Sequence, residues 1–147
     1  MARYIVTIPS PLPPSEAFAY MANLENFAKW DPGVARSVRT QGEDATVGTT
    51  YDVTVTAGTR PTLRYEVVQV DPGKRVLVSA RTWALRSVDE ISVEPGPQGG
   101  SVVTYDAELR LNGPLDFFDL GLGVVFQRLG DKAARGLRRA LRSHEVA

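Results

Sequence analysis

The sequence has no cysteine and only one histidine, His144, which lies three residues from the C-terminus. The absence of cysteine excludes disulfides, thiolate catalysis and cysteine-ligated zinc. A single histidine in a predicted solvated tail also excludes histidine-based metal sites and Ser-His-Asp triads. We therefore expect neither a bound metal nor another cofactor.

An excess of one charge is also missing, because 17 Lys and Arg residues balance 17 Asp and Glu residues. A nucleic-acid-binding protein normally has a marked basic excess on one face. The N-terminal "MARYIVTIPS" has an apolar run too short for a secretory signal or a membrane span. We expect no nucleic-acid partner, no integral membrane segment and, by default, a cytoplasmic location. The 14 arginines against 3 lysines suggest a GC-rich bacterial genome.

A length of 147 residues is enough for one compact domain and too short for two ordinary ones, so we expect a single domain over residues 1–147. Residues 3–8 are β-branched and aromatic, and they predict a first strand that is followed by two short helices near 14–21 and 24–28. Alternating runs punctuated by turn residues predict six more strands, near 34–41, 48–57, 62–70, 75–83, 86–94 and 101–111. After residue 114 the apolar period changes to about 3.6 and predicts a helix over 115–142.

This order predicts an α+β fold, in which a seven-stranded antiparallel sheet curves around one long C-terminal helix and two short helices follow the first strand. Alternation along each strand predicts the inward-facing side chains. The inward set is mostly apolar, with a few tyrosines and one charged pair, which is the usual composition of a small-molecule pocket. In the strand over 75–83, the predicted inward residues are Leu77, Ser79, Arg81 and Trp83.

Arg81 and Asp89 are unusual because both are predicted on the apolar side of neighbouring strands. An odd-numbered loop, such as Ala84 to Arg86, sets Arg81 opposite Asp89, whereas a two-residue turn at Ala84-Leu85 sets Arg81 opposite Val88. A buried ion pair is costly, so an inward pair is best interpreted as a polar anchor in a partly wet cavity. The alternative is that local twist or a bulge brings one or both residues to the rim.

The predicted long helix contains four glycines and a basic run. Glycine weakens a helix by up to about 1 kcal/mol relative to alanine, so Gly121, Gly123, Gly130 and Gly136 need a reason. Either a strand and the helix approach closely there, or the helix leaves room beside a ligand. The run "RGLRRALR" complements the helix dipole and is interpreted as a solvated face, with membrane docking as the alternative.

Several segments resemble the START-like, helix-grip superfamily (SRPBCC), which includes bacterial polyketide cyclases and dehydrases and lipid-transfer domains. The matching segments are "PPSEAFAYMANLENFAKWDPGV", "VGTTYDVTV", "YEVVQVDPGKRV", "VDEISVEP", "GGSVVTYDAEL" and "GLRRAL". They occur in the family's order and cover essentially the whole chain. The resemblance implies a cavity between the sheet and the long helix that holds a hydrophobic molecule. It implies no single chemistry, because the superfamily hosts binders, transporters and enzymes.

Ten residues are expected to contact a ligand in this cavity. Trp30 either lines the cavity mouth or plugs the seam between the short helices and the sheet, and Trp83 lies either at the rim or over the core. The tyrosine hydroxyls can orient a polar group; each tyrosine alone is better explained as part of the core, but three buried hydroxyls on one face favour a pocket. The full set is Trp30, Tyr51, Tyr65, Arg81, Trp83, Asp89, Tyr105, Phe118, Leu122 and Phe126.

Three functions are compatible with these patterns. The first is a binding or carrier protein for a hydrophobic or aromatic small molecule or lipid. The second is a polyketide cyclase or dehydratase-type enzyme, in which Arg81 polarises a carbonyl and Asp89 or a tyrosine moves a proton. A carboxylate paired to arginine has a lowered pKa and is a poor base, which favours the first. The third is an interaction or accessory subunit, and a homodimer is possible for any of them.

Overall fold

A computed structural model of the chain describes residues 2–56, 59–112 and 119–146, with the side chains of the last range covered from residue 126 to residue 142. It contains seven strands in one antiparallel sheet of order β1-β7-β6-β5-β4-β3-β2. The strands are β1 (Ala2–Ser10), β2 (Val34–Gln41), β3 (Thr50–Val55), β4 (Thr62–Asp71), β5 (Arg75–Arg81), β6 (Leu85–Pro95) and β7 (Ser101–Leu111). The helices are α1 (Pro14–Ala22), α2 (Phe27–Trp30) and α3 (Asp119–Val146), with short 3₁₀ turns at Leu24–Asn26 and Pro97–Gly99.

The predicted α+β fold is confirmed, with its curved antiparallel sheet, two helical segments after β1 and long C-terminal helix. Irregular pairing in β2 and at Val68 of β4 interrupts the ladders, and bulges of this kind bend a strand. The buried core lies between one face of the sheet, here called the inner face, and the helices. Among the described residues, no helix is both long enough and apolar enough to cross a membrane.

The inner face agrees with the predicted alternation in four of the strands, β3, β4, β6 and β7, but not in β5. In β5 the buried side chains are Val76, Val78 and Ala80, and Arg81 is exposed. The assignment of Leu77, Ser79, Arg81 and Trp83 to the inner face is therefore wrong. Apolar residues occupy both faces of this strand, so its hydrophobic pattern favours neither parity.

Two glycines of α3 lie where the helix touches other elements. A Cβ atom at Gly130 would overlap the ring of Tyr4 in β1, and one at Gly136 would overlap the Trp30 carbonyl oxygen. Tyr4 also donates a hydrogen bond of 3.0 Å to Asp131 of α3. Close approach of a strand therefore explains Gly130, as one of the two interpretations predicted, whereas Gly136 lies against helix α2 and not against a strand. The side chains of residues 121 and 123 lie outside the described part.

Replacing Gly136 by alanine should lower the free energy of unfolding by about 1 kcal/mol. The added methyl group overlaps the backbone of α2, and overpacking of this kind costs about 1–3 kcal/mol, which exceeds the gain of about 1 kcal/mol in helix propensity. Urea denaturation followed by circular dichroism measures the change. Arg135→Ala, at the neighbouring exposed position, is the control and should change stability by less than about 0.5 kcal/mol. A Gly136→Ala protein as stable as the wild type would show that α3 does not pack on α2 as described.

Candidate functional site

Four polar side chains meet on the inner face of the sheet. The Tyr105 hydroxyl donates to Asp89 Oδ2 at 2.6 Å, and the Ser87 hydroxyl lies 3.4 Å from Asp89 Oδ1. The hydroxyl oxygens of Tyr65 and Ser87 are 2.9 Å apart. All four residues are buried. We call these four residues the polar network; two of its hydroxyl groups contact the Asp89 carboxyl, and the third, that of Tyr65, contacts Ser87.

Small residues beside the network let its long side chains reach across strands. Tyr65 in β4 pairs with Ala80 in β5, and Ala80 pairs with Ser87 in β6. The methyl group of Ala80 leaves space for the Tyr65 hydroxyl to pass over β5. Asp89 likewise pairs with Ala107 of β7, while Tyr105 lies two residues further along that strand and reaches Asp89 diagonally.

An aromatic cluster from α2 covers the network. The ring centroids of Trp30 and Tyr105 are 5.3 Å apart in an edge-on arrangement, and those of Phe27 and Trp30 are 4.9 Å apart. Phe27 also lies 6.4 Å from Tyr65 and 6.2 Å from Tyr105. Trp30 is only 4% exposed, so it fills the seam between α2 and the sheet. The cluster separates the network from water on the α2 side.

Burial dominates the electrostatics of Asp89. It raises the pKa of this carboxyl to about 7, even though the hydrogen bonds from Tyr105 and Ser87 favour the charged form. Burial also raises the pKa values of Tyr65 and Tyr105, and the nearby Asp89 charge raises them further. Among the described residues, no cation forms an ion pair with Asp89. Asp89 can therefore change its protonation state close to neutral pH.

Asp31 lies at the end of α2, between the aromatic cluster and an open cleft. Burial raises the pKa of its carboxyl, while the Gly33 amide donates to it at 2.8 Å and opposes that shift. Repulsion from Asp31 contributes to the raised pKa of Asp89. The cleft has a volume of about 860 Å³ and lies between the α1–α2 region and the C-terminal half of α3. Its lining includes Trp30, Pro32, Lys132 and Gly136.

The inner face becomes less buried toward the end of the sheet where β5 turns into β6, here called the turn end. The space beneath α2, next to Phe27 and Trp30, is too small to admit a water molecule. At the turn end, by contrast, apolar inner-face side chains are half-buried. These residues are Val55, Leu85, Leu109 and Leu111.

Arg81 and Trp83 do not join the polar network. The β5–β6 turn holds two residues, Trp83 and Ala84, so that Arg81 pairs with Arg86 and Asp89 pairs with Val78. The predicted pairing of Arg81 with Asp89 is therefore wrong, because it required an odd-numbered loop; the alternative partner, Val88, is not found either. Trp83 is 86% exposed at the tip of the turn, and so it does not cover the core.

The remaining predicted contact residues have separate surroundings. Tyr51 is fully buried, but its hydroxyl donates to Asp44 at 3.0 Å in the β2–β3 connection and not to the polar network. Phe126 of α3 is half-buried and packs against the core. Phe118 and the side chain of Leu122 lie outside the described residues. Their contact with a ligand stays a prediction.

Sequence reasoning missed three members of this region, Ser87, Phe27 and Asp31. Ser87 had a readable signal, because it lies two residues before Asp89 and therefore shares its face in a strand. Phe27 and Asp31 had none beyond their place beside Trp30. Within the part of the chain that the structure describes, no group of three acidic or histidine side chains is placed to hold a metal ion.

The sequence profile of the family described as polyketide cyclase / dehydrase and lipid transport matches residues 1–142. The chain belongs to this family. No curated protein matches the sequence. The family's description names cyclases, dehydrases and lipid transport, and therefore leaves open which of these activities, if any, this member has.

Solved structures resemble this family member in fold. A START superfamily protein from Mycobacterium smegmatis superposes with a TM-score of 0.69 at 11% identity, over 98% of this chain and 97% of that one. A Thermus thermophilus protein gives 0.71 at 16% identity, over 95% of both chains. The ginseng (Panax ginseng) major latex-like protein 151 gives 0.63 at 12% identity, over 95% of this chain and 96% of that one. Identities this low show a shared START-like fold alone.

Proposed function

We propose that this protein binds a hydrophobic or aromatic small molecule that carries one polar group, and that the polar network holds that group. The observation that carries the proposal is Asp89, a buried carboxyl on the inner face with no cationic partner among the described residues. Such a group costs folding free energy, because burial opposes its ionisation. An apolar residue at this position would fill a plain core at lower cost, so the carboxyl suits a site with a polar ligand.

The half-buried apolar side chains at the turn end supply the second part of the proposed site. Leu85 and Ser87 share the inner face of β6, so an apolar wall adjoins the polar network directly. Leu111 pairs with Leu85 on the neighbouring strand and extends this wall. A ligand with its apolar body on the wall and its hydroxyl or carbonyl group on the network would satisfy both surfaces. The proposed cavity therefore lies between the turn end of the sheet and α3.

A specific observation favours a second candidate function, proton transfer during a cyclase or dehydratase reaction. The pKa of Asp89 is raised to about 7, and a general acid or base works best when its pKa is near the working pH. The objection that a paired arginine lowers this pKa no longer applies, since Arg81 lies elsewhere. Asp89→Asn distinguishes the two functions. In an enzyme the substitution would abolish turnover, whereas a carrier protein catalyses no reaction.

The proposed binding site can be tested with 2-naphthol and naphthalene, which differ by one hydroxyl group. We expect 2-naphthol to bind about tenfold more tightly, since a hydrogen bond to a charged group contributes about 1.5 kcal/mol. Tyr105→Phe should remove most of this preference, because the substitution takes a hydroxyl from the network and leaves the ring in place. Isothermal titration calorimetry of both ligands measures the preference.

Tyr51→Phe is the matched control for this experiment. It removes the same atom from an equally buried tyrosine whose hydroxyl bonds to Asp44 instead, so the preference for 2-naphthol should persist. The proposal fails if neither compound binds, or if Tyr51→Phe and Tyr105→Phe change the preference equally.

A further inference from the structure

Three arginines form a row across the outer face of the sheet at the turn end. Arg81 of β5 pairs with Arg86 of β6, and Arg86 pairs with Arg110 of β7. All three residues are exposed. Neighbouring strands are about 4.8 Å apart, so the row spans about 10 Å. We call Arg81, Arg86 and Arg110 the arginine row.

The pairing of Arg81 with Arg86 is unfavourable for the isolated protein. Like charges directly opposite each other on neighbouring strands destabilise a sheet. Four other arginines of the sheet have carboxylate partners, as in the pairs Arg3–Asp106 at 2.8 Å and Arg64–Asp52 at 2.9 Å. Within the described residues, Arg81 and Arg86 have no such partner. An external anion would relieve this repulsion.

The turn beside the row holds Trp83 in a fixed exposed position. The Thr82 amide donates to the Leu85 carbonyl at 2.8 Å, closing the turn. The Thr82 hydroxyl oxygen accepts from the Ala84 and Leu85 amides at 3.2 and 3.1 Å. The Asn112 side-chain amide donates to the Thr82 and Trp83 carbonyls, at 3.1 and 3.2 Å. These bonds order the backbone, while the indole ring itself remains 86% exposed.

Away from the turn end, carboxylates balance the arginines of the outer face. Glu108 lies two residues before Arg110 on β7, and beyond it Glu90 of β6 pairs with Asp106 of β7. A nucleic acid lying along the face would meet these carboxylates. A flat anionic surface that touches the turn end would meet the arginine row and Trp83 first. The observations therefore favour a membrane over a nucleic acid.

We propose that the turn end docks onto the surface of membranes that contain anionic phospholipids. The arginine row would contact lipid phosphates, and Trp83 would enter the interfacial layer, where tryptophan is enriched in membrane proteins. The contact is peripheral and reversible, because it involves one aromatic side chain and a few charges. This inference is independent of the proposed ligand and of the polar network.

Vesicle sedimentation tests the proposal with two lipid compositions, pure phosphatidylcholine and phosphatidylcholine mixed with phosphatidylglycerol. Wild-type protein should bind the mixed vesicles and not the pure ones.

Arg81→Gln with Arg86→Gln should weaken binding about thirtyfold, since each basic residue near an anionic surface contributes about 1 kcal/mol. Trp83→Ala should weaken vesicle binding about tenfold, because the variant lacks the indole ring that moves from water into the interfacial layer of the membrane. Acrylamide should quench Trp83 in free protein and much less on mixed vesicles.

Arg135→Gln with Arg138→Gln is the matched control, because it removes the same charge from exposed positions on α3. This variant should bind mixed vesicles within a factor of about three of the wild type, because the charges it removes lie away from the turn end. The proposal is overturned if wild-type protein does not prefer mixed vesicles, or if the α3 variant loses as much binding as the row variant. It is also overturned if a single-stranded oligonucleotide, and not the vesicles, shows binding that depends on Arg81 and Arg86.

Discussion

Replacing Asp89 by asparagine should raise the free energy of unfolding at pH 8 by about 3 kcal/mol. The pKa of Asp89 is raised from 3.8 to about 7 in the folded protein, and each tenfold change in an acid dissociation constant corresponds to about 1.4 kcal/mol. At pH 8 the folded protein therefore holds a buried charge that the unfolded chain exposes to water at no cost. Asparagine is nearly the same size, carries no charge and can still accept the Tyr105 hydrogen bond, although burial of its amide offsets part of the gain.

The sign of this effect depends on pH in a way that identifies its cause. Below about pH 4, Asp89 is protonated in both the folded and the unfolded states, so only the burial of the amide remains and Asp89→Asn should be about 1 kcal/mol less stable than the wild type. From pH 4 to pH 7 the unfolded chain releases the proton first, and the contribution of Asp89 to wild-type stability falls. The advantage of the variant should grow across this window and level off above pH 7. Urea denaturation at a series of pH values measures it.

A different outcome would assign Asp89 a structural role. If Asp89→Asn lowers stability at pH 8, the carboxylate stabilises the fold through its hydrogen bonds and needs no ligand to explain it. Tyr51→Phe is a suitable control, because it alters a buried tyrosine outside the polar network. Its stability relative to the wild type should stay constant from pH 4 to pH 8. A residue that costs stability and is nevertheless present is expected at functional sites.

Trp30→Ala should lower the free energy of unfolding by about 4 kcal/mol. Trp30 is 4% exposed and packs against Phe27 and Tyr105, and truncation of a buried tryptophan to alanine costs about 3–5 kcal/mol. Domains of this size are stable by about 5–15 kcal/mol, so the variant keeps only part of its stability. Urea denaturation measures the loss, and the midpoint should fall without a large change in slope.

The second tryptophan provides the control for this prediction. Trp83 is 86% exposed, so Trp83→Ala should change stability by less than about 0.5 kcal/mol. If the two alanine variants are equally stable, Trp30 does not fill the seam between α2 and the sheet. The aromatic cluster then does not cover the polar network as described. A stable Trp83→Ala protein also ensures that its vesicle binding can be interpreted without a folding defect.

The sequence predicted the fold well where its alternation was clear. In β6, polar and apolar residues alternate, so the inward positions of Asp89, Ile91 and Val93 were correct. In β7 the same pattern placed Tyr105 inward. The overall order of elements followed from turn residues and from the change of period before α3. These signals are local, which is why they can be read from a single sequence.

The errors arose where local signals are weak. The segment "VLVSA" of β5 is apolar on both faces, and the turn at Trp83 and Ala84 contains no glycine, proline, asparagine or aspartate to mark its length. A one-residue error in that turn moves every side chain of a strand to the opposite face. The partner of Tyr51 was also unreadable, because Asp44 lies in an irregular connection whose path depends on tertiary contacts. The polar network required the register of four strands at once.

Native mass spectrometry of the protein purified from its own host tests the central claim most directly. The wild type and Tyr51→Phe should each carry an additional non-covalent mass that organic solvent extracts. Asp89→Asn and Tyr105→Phe should carry the ligand at less than about one tenth of the wild-type occupancy, since each alters the polar network that anchors the ligand. Their charge-state distributions should match that of the wild type, which shows that both variants are folded. Equal occupancy in all four proteins, or loss from Tyr51→Phe as great as from Tyr105→Phe, would contradict a ligand site built on Asp89.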